Sequence, residues 1–218
     1  MEDRGISQAV IGRLPRYYRY LGDLKSDGVE RISSQELSRI MNVTASQIRQ
    51  DFNNFGGFGQ QGYGYNVSYL HQEIGKILGL NKSHTMVLIG AGNLGQALIN
   101  YVSLKNRGFL FKAAFDISPE KYGRTIADVP VFPLDRLPSF IDENGIEIAV
   151  LAVPRAAAVN VKDILVGTRI KAIWNFAHVD LEVPEEIQVE NVHLHDSLMK
   201  LSYSIRCHDE DKAKNSAR

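Results

Sequence analysis

The sequence has a single cysteine, no surplus of charge of either sign and no long apolar run. Cys207 alone, among 218 residues, excludes a disulfide framework and a metal site built from several cysteines of one chain. The 25 basic residues balance the 25 acidic ones, so net charge indicates neither a nucleic-acid nor a membrane partner. No apolar run approaches the roughly 20 residues that span a bilayer, and the first residues do not resemble a signal peptide. We therefore expect a cytoplasmic protein with no metal and no membrane partner.

The chain divides near Leu80 into two parts with different patterns. Residues 1–80 predict helices with a short glycine-rich interruption, whereas β-branched strands alternate with helical stretches from about residue 85 onward. Such alternation is typical of a parallel α/β sheet. A short polar break at residues 79–83 joins the two parts.

A glycine-rich turn follows the first apolar run of the second part. Residues 86–89 predict a buried strand, and Gly90, Gly92 and Gly95 after it match G-x-G-x-x-G. In such a motif the first glycine permits a tight turn, the second lets the backbone approach a pyrophosphate, and the third lets a helix pack on the strand. One helix is predicted over residues 94–105, with its N-terminal N–H groups available to phosphates. The predicted cofactor-binding loop also contains Ala91, Asn93 and Leu94.

An acid at the end of the second strand favours NAD(H) over NADP(H). The strand predicted over residues 110–115 ends in Asp116, about 20 residues past the motif, where a carboxylate accepts hydrogen bonds from a ribose. A carboxylate also repels a 2′-phosphate, and the nearest arginine, Arg124, lies eight residues further on. NADP(H) binding, or no dinucleotide binding, are the alternatives.

The rest of the second part continues the strand and helix alternation. Strands are predicted at 129–132, 148–153, 170–176 and 192–194, and helices at 134–143, 156–166 and 197–207. Ligands of open parallel sheets lie at the carboxyl ends of the strands. We therefore expect the nicotinamide between two such ends, formed by Val153, Pro154, Asn175, Phe176 and Ala177.

No catalytic residue is assigned. The last predicted helix is too small for a substrate domain, and no Ser/His/Asp constellation stands out. His178, His193 and His195 are acid–base candidates, but loop and edge-strand positions explain them more simply. Sensing is therefore favoured over catalysis, with a dehydrogenase or a CoA- or nucleotide-binding structural module as alternatives.

The first part contains a helix-turn-helix pattern. Ser33 and Glu36 predict one capping box, and Thr44 and Gln47 predict a second, with a turn at residues 42–43 between the two helices.

The second of these helices has an apolar and a polar face. Ile48, Phe52 and Phe55 share the inward face. The outward side chains, of types that contact bases and phosphates, are Ser46, Gln47, Arg49, Gln50 and Asn53. Residues 56–65 predict a glycine-rich hairpin, with a phosphate cradle as the less favoured reading. Residues 1–80 have nine basic and eight acidic residues, so a purely structural role for the helix pair stays open.

Along almost its whole length the sequence resembles the Rex family of bacterial redox-sensing transcriptional repressors. The matching segments are LPRYYRYL, RISSQELSRIMNVTASQIRQDFNNFGGFGQQGYGYNV, GAGNLG, AVPRAAA, IWNFAHVDLEVPEEI and the last helix. The resemblance implies an α/β Rossmann-like dinucleotide-binding domain with an N-terminal winged-helix (helix-turn-helix) domain and a C-terminal swapped helix. The implied bounds are 1–80 for the winged helix, 81–196 for the NAD(H) domain, and 197–218 for the exchanged helix and tail.

The resemblance also implies a homodimer that binds double-stranded operator DNA with NAD⁺ and releases it on binding NADH. Tyr101 matches a family tyrosine near the nicotinamide, and Arg19 matches an arginine that pairs with an acid of the partner. Here His193 occupies the position of that acid, and Asp196 follows three residues later, so either residue is a candidate partner. The DNA-contacting residues implied are Arg13, Arg16, Thr44 and the outward residues of the second helix, with Gln60, Gln61 and Tyr63 in the wing. Because relatives often have basic residues where the two glutamines stand, affinity is expected to depend more on Arg13, Arg16 and Arg49.

Overall fold

The computed structural model describes residues 7–54, 59–60 and 63–216, without the side chains of residues 59–60 and 213–216. Contacts within the chain define two compact units, Met1–Lys82 and Ser83–Arg218. Among the described residues, no helix is both long and apolar enough to cross a membrane.

The first unit combines five helices and a small sheet among its described residues. Its elements are α1 (Gln8–Ile11), α2 (Leu14–Ser26), β1 (Arg31–Ile32), α3 (Ser34–Met41), α4 (Ala45–Asn53), β2 (Gly59–Gln60), β3 (Gly64–Asn66) and α5 (Val67–Ile77). The strands form an antiparallel sheet in the order β1-β3-β2. Pro15 lies in the first turn of α2, where its missing N–H costs nothing, and so it begins the helix rather than kinking it. The hairpin of β2 and β3 after α4 is the wing of a winged helix.

The helix pair α3 and α4 is held by its caps and by a shared apolar core. Ser33 and Glu36 form the predicted capping box, and Asn42 ends α3 in the left-handed conformation that begins the turn. The second capping box is only half formed. Thr44 accepts a bond from the Gln47 N–H, but the Gln47 side chain donates to Asp51 within α4. Ile48 and Phe52 are buried as expected.

The predicted wing lies only partly among the described residues. Its strands β2 and β3 are present, whereas Phe55, Gly56, Gly57, Phe58, Gln61 and Gly62 lie outside the described residues.

The second unit is a seven-stranded sheet with helices on both faces. Its elements are β4 (His84–Ile89), α6 (Asn93–Ile99), α7 (Val102–Asn106), β5 (Phe109–Asp116), β6 (Thr125–Ile126), β7 (Val129–Pro133), α8 (Leu137–Asn144), β8 (Ile148–Leu151), α9 (Arg155–Val166), β9 (Ala172–Asn175), β10 (Gln188–Asn191) and α10 (Leu194–Ser216). The strand order is β10-β9-β8-β4-β5-β7-β6, parallel except for β6. This is a Rossmann-like arrangement, as predicted.

Four predicted elements differ from those observed. The helix expected over 94–105 is two helices, because the chain leaves the helical conformation at Tyr101 and the Asn100 side chain bonds the Gln96 carbonyl at the end of α6. The strand expected over 192–194 is wrong. The preceding residues Gln188–Asn191 pair with β9, and α10 already begins at Leu194.

The third difference is at residues 134–143, where a 3₁₀ turn, Leu134–Arg136, precedes α8. The fourth difference is the last helix, which is longer than the predicted 197–207: it begins at Leu194 and continues through polar residues to Ser216.

Candidate cofactor site and nucleic-acid interface

A crevice opens at the carboxyl ends of the central strands of the second unit. Ile89 at the end of β4 lies level with Phe115 of β5 on one side and with Leu151 of β8 on the other. Strand order reverses between β4 and β8, because the chain passes from β4 outward to β5 and β7 and then crosses back to β8. Open α/β sheets bind ligands at such a reversal.

The glycine motif shapes this crevice. Gly90 has φ +98°, and a Cβ there would lie 2.5 Å from the Ala152 carbonyl oxygen. At Gly95 a Cβ would lie 2.1 Å from the Gly90 oxygen, so only glycine lets α6 approach the turn. A Cβ at Gly92 would meet no atom within 4 Å, which leaves its backbone open to a ligand. The adjoining cavity of about 240 Å³ is lined by Gly90, Gly92, Asp116, Lys121, Val153 and Pro154, among others.

Asp116 lies at the base of this cavity with its carboxylate almost fully buried. It accepts hydrogen bonds from the Ala91 N–H (2.8 Å), the Ser118 N–H (2.9 Å) and the Lys121 ammonium (2.9 Å). Burial alone would raise the pKa of Asp116, but the bonds from Lys121 and the two N–H groups outweigh it and hold the pKa below its usual value. Asp116 is therefore ionised at neutral pH. The Lys121 contact was not predicted, since nothing in the spacing assigns a partner to that lysine.

The loop after β9 is held by the fully buried side chain of Asn175. Its amide donates to the Val179 carbonyl (2.7 Å) and to the Asn191 side chain (2.8 Å), and its oxygen accepts from the Ala177 N–H (3.0 Å). These bonds use both amide hydrogens, so Asn175 shapes the loop rather than offering a donor to a ligand. Phe176 and Ala177 are buried beside it.

The two loops predicted around the nicotinamide are neighbours. Leu151 pairs with Asn175, and the Phe176 N–H donates to the Leu151 carbonyl at 2.9 Å. Pro154 is exposed at the start of α9, directly after this pairing. Tyr101 lies at the break between α6 and α7 with 59% of its surface exposed, rather than within one helix as predicted.

In the first unit, α4 presents a polar face. Four of its predicted DNA-contacting residues are exposed: Ser46, Arg49, Gln50 and Asn53. The Arg49 guanidinium donates to the Ser34 hydroxyl at 3.1 Å. Thr44 is exposed at the N-cap, and Tyr63 has 70% of its surface exposed at the wing. Nothing is described of the Gln60 side chain, and Gln61 lies outside the described residues.

The side chains of two residues predicted to contact DNA form hydrogen bonds with the buried carboxylate of Asp51. Arg13 donates to it through Nε and Nη2, both at 2.7 Å, and Gln47 donates at 2.8 Å. Tyr17 adds a hydrogen bond at 2.8 Å. Arg13 and Gln47 therefore have a structural role that sequence reasoning missed. The signal was available, because Asp51 is three residues after Ile48 and hence on the inward face of α4.

Arg16 and Arg19 of α2 both lie over the Tyr20 ring, with guanidinium carbons 5.8 Å and 5.2 Å from its centroid. Arg16 also donates to the Met41 carbonyl. Both side chains are exposed within the first unit.

The three acid–base candidates come together at the start of α10. The His178 ring centroid lies 4.8 Å from that of His195 and 6.5 Å from that of His193. The His193 Nε2 is 3.8 Å from Asp180, and the His195 Nε2 is 3.6 Å from Asp196. Across the part of the chain that the structure describes, no three or more His, Cys, Asp or Glu residues are arranged to hold a metal ion.

The helix α10 exposes apolar side chains along its length. Leu194, Leu198, Leu201 and Ile205 recur at helical spacing and are each more than half exposed. Met199 and Tyr203 are equally exposed on the other side of the helix.

Two family models match the chain. Residues 5–53 match the model described as "Putative DNA-binding protein N-terminus", and residues 81–179 match that described as "CoA binding domain". The crystal structure of RSP in complex with NAD⁺ and operator DNA is similar with a TM-score of 0.89 and 52% identity, covering 97% of each chain. That of RSP with NADH also gives 0.89, at 49% identity, covering 97% of this chain and 99% of the other. RSP is a Rex-family repressor.

Curated relatives cover almost the whole sequence. The redox-sensing transcriptional repressor Rex of Clostridioides difficile (strain 630) is 55% identical, over 94% of this chain and 97% of its own. That of Thermoanaerobacter sp. (strain X514) is 54% identical, over 92% and 89%. The predicted combination of a DNA-binding N-terminal domain with a Rossmann-like domain is confirmed, and the chain belongs to the Rex family of redox-sensing transcriptional repressors.

Proposed function

We propose that the chain is a cytoplasmic repressor that binds operator DNA when NAD⁺ prevails and releases it on binding NADH. The observation that carries this proposal is the crevice beside Asp116 in the same chain as an exposed winged-helix recognition face. RSP has been crystallised both with NAD⁺ and operator DNA and with NADH, which are the two bound states that the proposal requires. The curated relatives of this chain are named as transcriptional repressors, so we assign it a regulatory rather than an enzymatic role.

The cofactor is proposed to lie across the reversal of strand order. Its pyrophosphate would meet the loop formed by Gly90, Ala91, Gly92, Asn93, Leu94 and Gly95. Its adenosine ribose would meet Asp116, and its nicotinamide would lie beside Tyr101, Val153, Pro154, Phe176 and Ala177, with Asn175 positioning that loop.

The nicotinamide end of the site must distinguish the two redox states. NAD⁺ and NADH share every pyrophosphate and adenosine contact, and they differ by a hydride and a charge on the nicotinamide ring. A ligand shifts a conformational equilibrium only through its differential affinity for the two states. The buried, apolar loop of Phe176 and Ala177 favours the uncharged reduced ring.

DNA contacts are proposed on the exposed face of α4. Ser46, Arg49, Gln50 and Asn53 would face the major groove, while Arg16, Thr44, Tyr63 and the two wing glutamines would face the phosphates. Arg13 and Gln47, which we also propose to contact DNA, hold this face in position through their bonds to Asp51.

A homodimer is proposed from the exposed apolar faces of α10. Two recognition helices would then reach half-sites about one helical turn apart. Arg19, Tyr101, His193 and Asp196 are the proposed switch residues, and a latch between Arg19 and the partner would use either His193 or Asp196.

The central experiment titrates NADH against DNA-bound protein. A labelled duplex, enriched by the protein itself from a random-sequence pool with NAD⁺, is followed by fluorescence anisotropy. We expect NADH to weaken DNA binding about ten-fold or more, within the usual range of allosteric coupling. Failure to enrich any duplex, or an affinity that does not change across the titration, would contradict the repressor proposal. Consumption of NADH with a small carbonyl compound would favour a dehydrogenase instead.

Two variants separate the DNA site from the cofactor site. Arg49→Ala should weaken DNA binding about ten-fold or more, by loss of a base or phosphate contact, and leave NADH affinity unchanged. Asp116→Ala should weaken NADH binding and make the DNA complex less responsive to NADH. Arg169→Ala, an exposed arginine of the second unit, is the control that should change neither.

A further inference from the structure

We propose that Lys121 is a second ribose-binding group and that Asp116, by pairing with it, prevents it from binding a 2′-phosphate. This inference rests on the proposed placement of the adenosine ribose at Asp116. It assigns cofactor specificity to a pair of opposite charges rather than to the acid alone.

Asp116 has little capacity left for a ribose. A carboxylate offers about four lone-pair sites, and three donors within 2.9 Å already occupy Asp116. Two ribose hydroxyls therefore exceed what remains. The Lys121 ammonium has three N–H donors, and the structure gives one of them to Asp116.

Lys121 is positioned to supply the missing contact. It ends the 3₁₀ turn Pro119–Lys121 directly after β5, and its side chain lines the same cavity as Gly90, Gly92 and Asp116. Its side chain is 31% exposed, so the ammonium is reachable from the cavity while it remains 2.9 Å from the carboxylate. One ribose hydroxyl would donate to Asp116, and the other would accept from Lys121.

The same pair explains how a 2′-phosphate is rejected. The phosphate would meet the buried negative charge of Asp116, and the lysine charge is already neutralised by that carboxylate. Without the negative charge, the lysine would face a 2′-phosphate as an uncompensated cation, the role that lysine has at many phosphate sites. Arg124, exposed three residues later, is the competing cation.

A substitution cycle tests this on the full-length protein. NADH and NADPH are titrated, and binding is followed by the fluorescence of the reduced nicotinamide, for wild type, Asp116→Asn, Lys121→Met and the double variant D116N/K121M. In Asp116→Asn the preference for NADH over NADPH should fall about ten-fold or more, the size of one charge-assisted hydrogen bond. In D116N/K121M this gain of NADPH binding should disappear. D116N/R124M should retain it.

Lys121→Met alone measures the ribose contact with Asp116 intact. NADH affinity should fall about three- to ten-fold. Lys171→Met is the matched control, because that ammonium also bonds a carboxylate, Glu147 at 2.8 Å, but at the opposite end of the sheet. It should bind NADH as wild type does. Because this test keeps Asp116, it remains valid even if Asp116→Asn fails to fold by circular dichroism.

The outcomes separate this inference from the cofactor site on which it rests. If wild type binds neither NADH nor NADPH, the cofactor site is wrong, and the role of Lys121 falls with it. If wild type binds NADH but Lys121→Met does so equally well, only the role of Lys121 is overturned. NADPH binding by D116N/K121M equal to that of Asp116→Asn, or its loss in D116N/R124M alone, would likewise overturn it.

Discussion

At the scale of single residues, Asp51 links the recognition helix α4 to α2. Its carboxylate is fully buried on α4, and it accepts hydrogen bonds from Arg13 at the N-cap of α2 and from Tyr17 within α2. A buried charge that loses its partner is strongly destabilising, by about 3–5 kcal/mol. Because the donors belong to another helix, these bonds fix α4 on α2 and thereby set the direction in which Arg49 faces.

Replacing Arg13 with methionine tests this link. We expect Arg13→Met to lower the free energy of unfolding at pH 7 by about 3 kcal/mol, at the lower end of the range for broken buried pairs, since Arg13 is 29% exposed. Urea unfolding followed by circular dichroism measures the difference. Arg39→Met, on the exposed side of α3, is the control and should lie within about 0.5 kcal/mol of wild type.

The loss of unfolding free energy caused by Arg13→Met should become smaller in acid. Burial alone would raise the pKa of Asp51, but the bonds from Arg13 and Tyr17 outweigh it, and the pKa is lowered. A lowered folded-state pKa gives stability that is complete above the unfolded value, near 3.9, and is lost as pH falls through the folded value. The difference between wild type and Arg13→Met should therefore shrink below about pH 4. A difference that stays constant down to pH 3 would contradict this ionic account.

A second residue-scale prediction concerns the hairpin between β6 and β7. Ile126 pairs with Val129, and the two turn residues have positive φ, 46° at Ala127 and 70° at Asp128. Such two-residue turns favour Asn-Gly. We expect A127N/D128G to raise the free energy of unfolding by about 1 kcal/mol by relieving this strain. Ala127→Val should lower it, because a branched side chain is less tolerant of positive φ; thermal unfolding showing the opposite order would count against a strained turn.

At the scale of elements, local signals predicted helices and strands better than their ends. The capping box at Ser33 and the tight turn at Gly90 to Gly95 are each encoded by a short run of consecutive residues, and the structure has both at the predicted positions. The position of β10 depends on its pairing with β9, which the periodicity of one segment does not show. The break at Tyr101 and the bond from Lys121 to Asp116 are local, but they depend on polar side-chain bonds rather than on hydrophobic spacing, so spacing identified neither.

The cap of α3 gives a prediction at this scale. The Ser33 hydroxyl accepts from the Glu36 N–H at 3.1 Å, and Glu36 accepts from the Ser33 N–H at 2.8 Å. Ser33→Ala should cost about 1 kcal/mol of unfolding free energy. Ser38→Ala is the matched control within the same helix, because its hydroxyl bonds only a carbonyl one turn earlier and alanine is the better helix former. Equal losses in both variants would show that the cap is not responsible.

At the scale of the whole molecule, the apolar side chains of α10 stay largely exposed to solvent in a single chain. Leu194, Leu198, Leu201 and Ile205 form one stripe, and Met199 and Tyr203 lie across the helix from it. Large contiguous exposed apolar patches usually mark interaction sites. Because α10 has two apolar faces, it could pack between two surfaces of a second copy of the chain. This packing is the basis of the proposed homodimer.

Charging the stripe on α10 should separate the two copies. In L198D/L201D two carboxylates would be buried unpaired in the dimer interface, at a cost of several kcal/mol, whereas in the single chain both positions are more than half exposed. We expect a folded monomer by circular dichroism and sedimentation velocity, with DNA affinity about a hundred-fold lower because the two half-sites are no longer bound jointly. Lys200→Glu, at an exposed position outside the stripe, changes the net charge by the same amount and should remain a dimer. A dimer in L198D/L201D, or equal dissociation of Lys200→Glu, would mean that this stripe is not the interface.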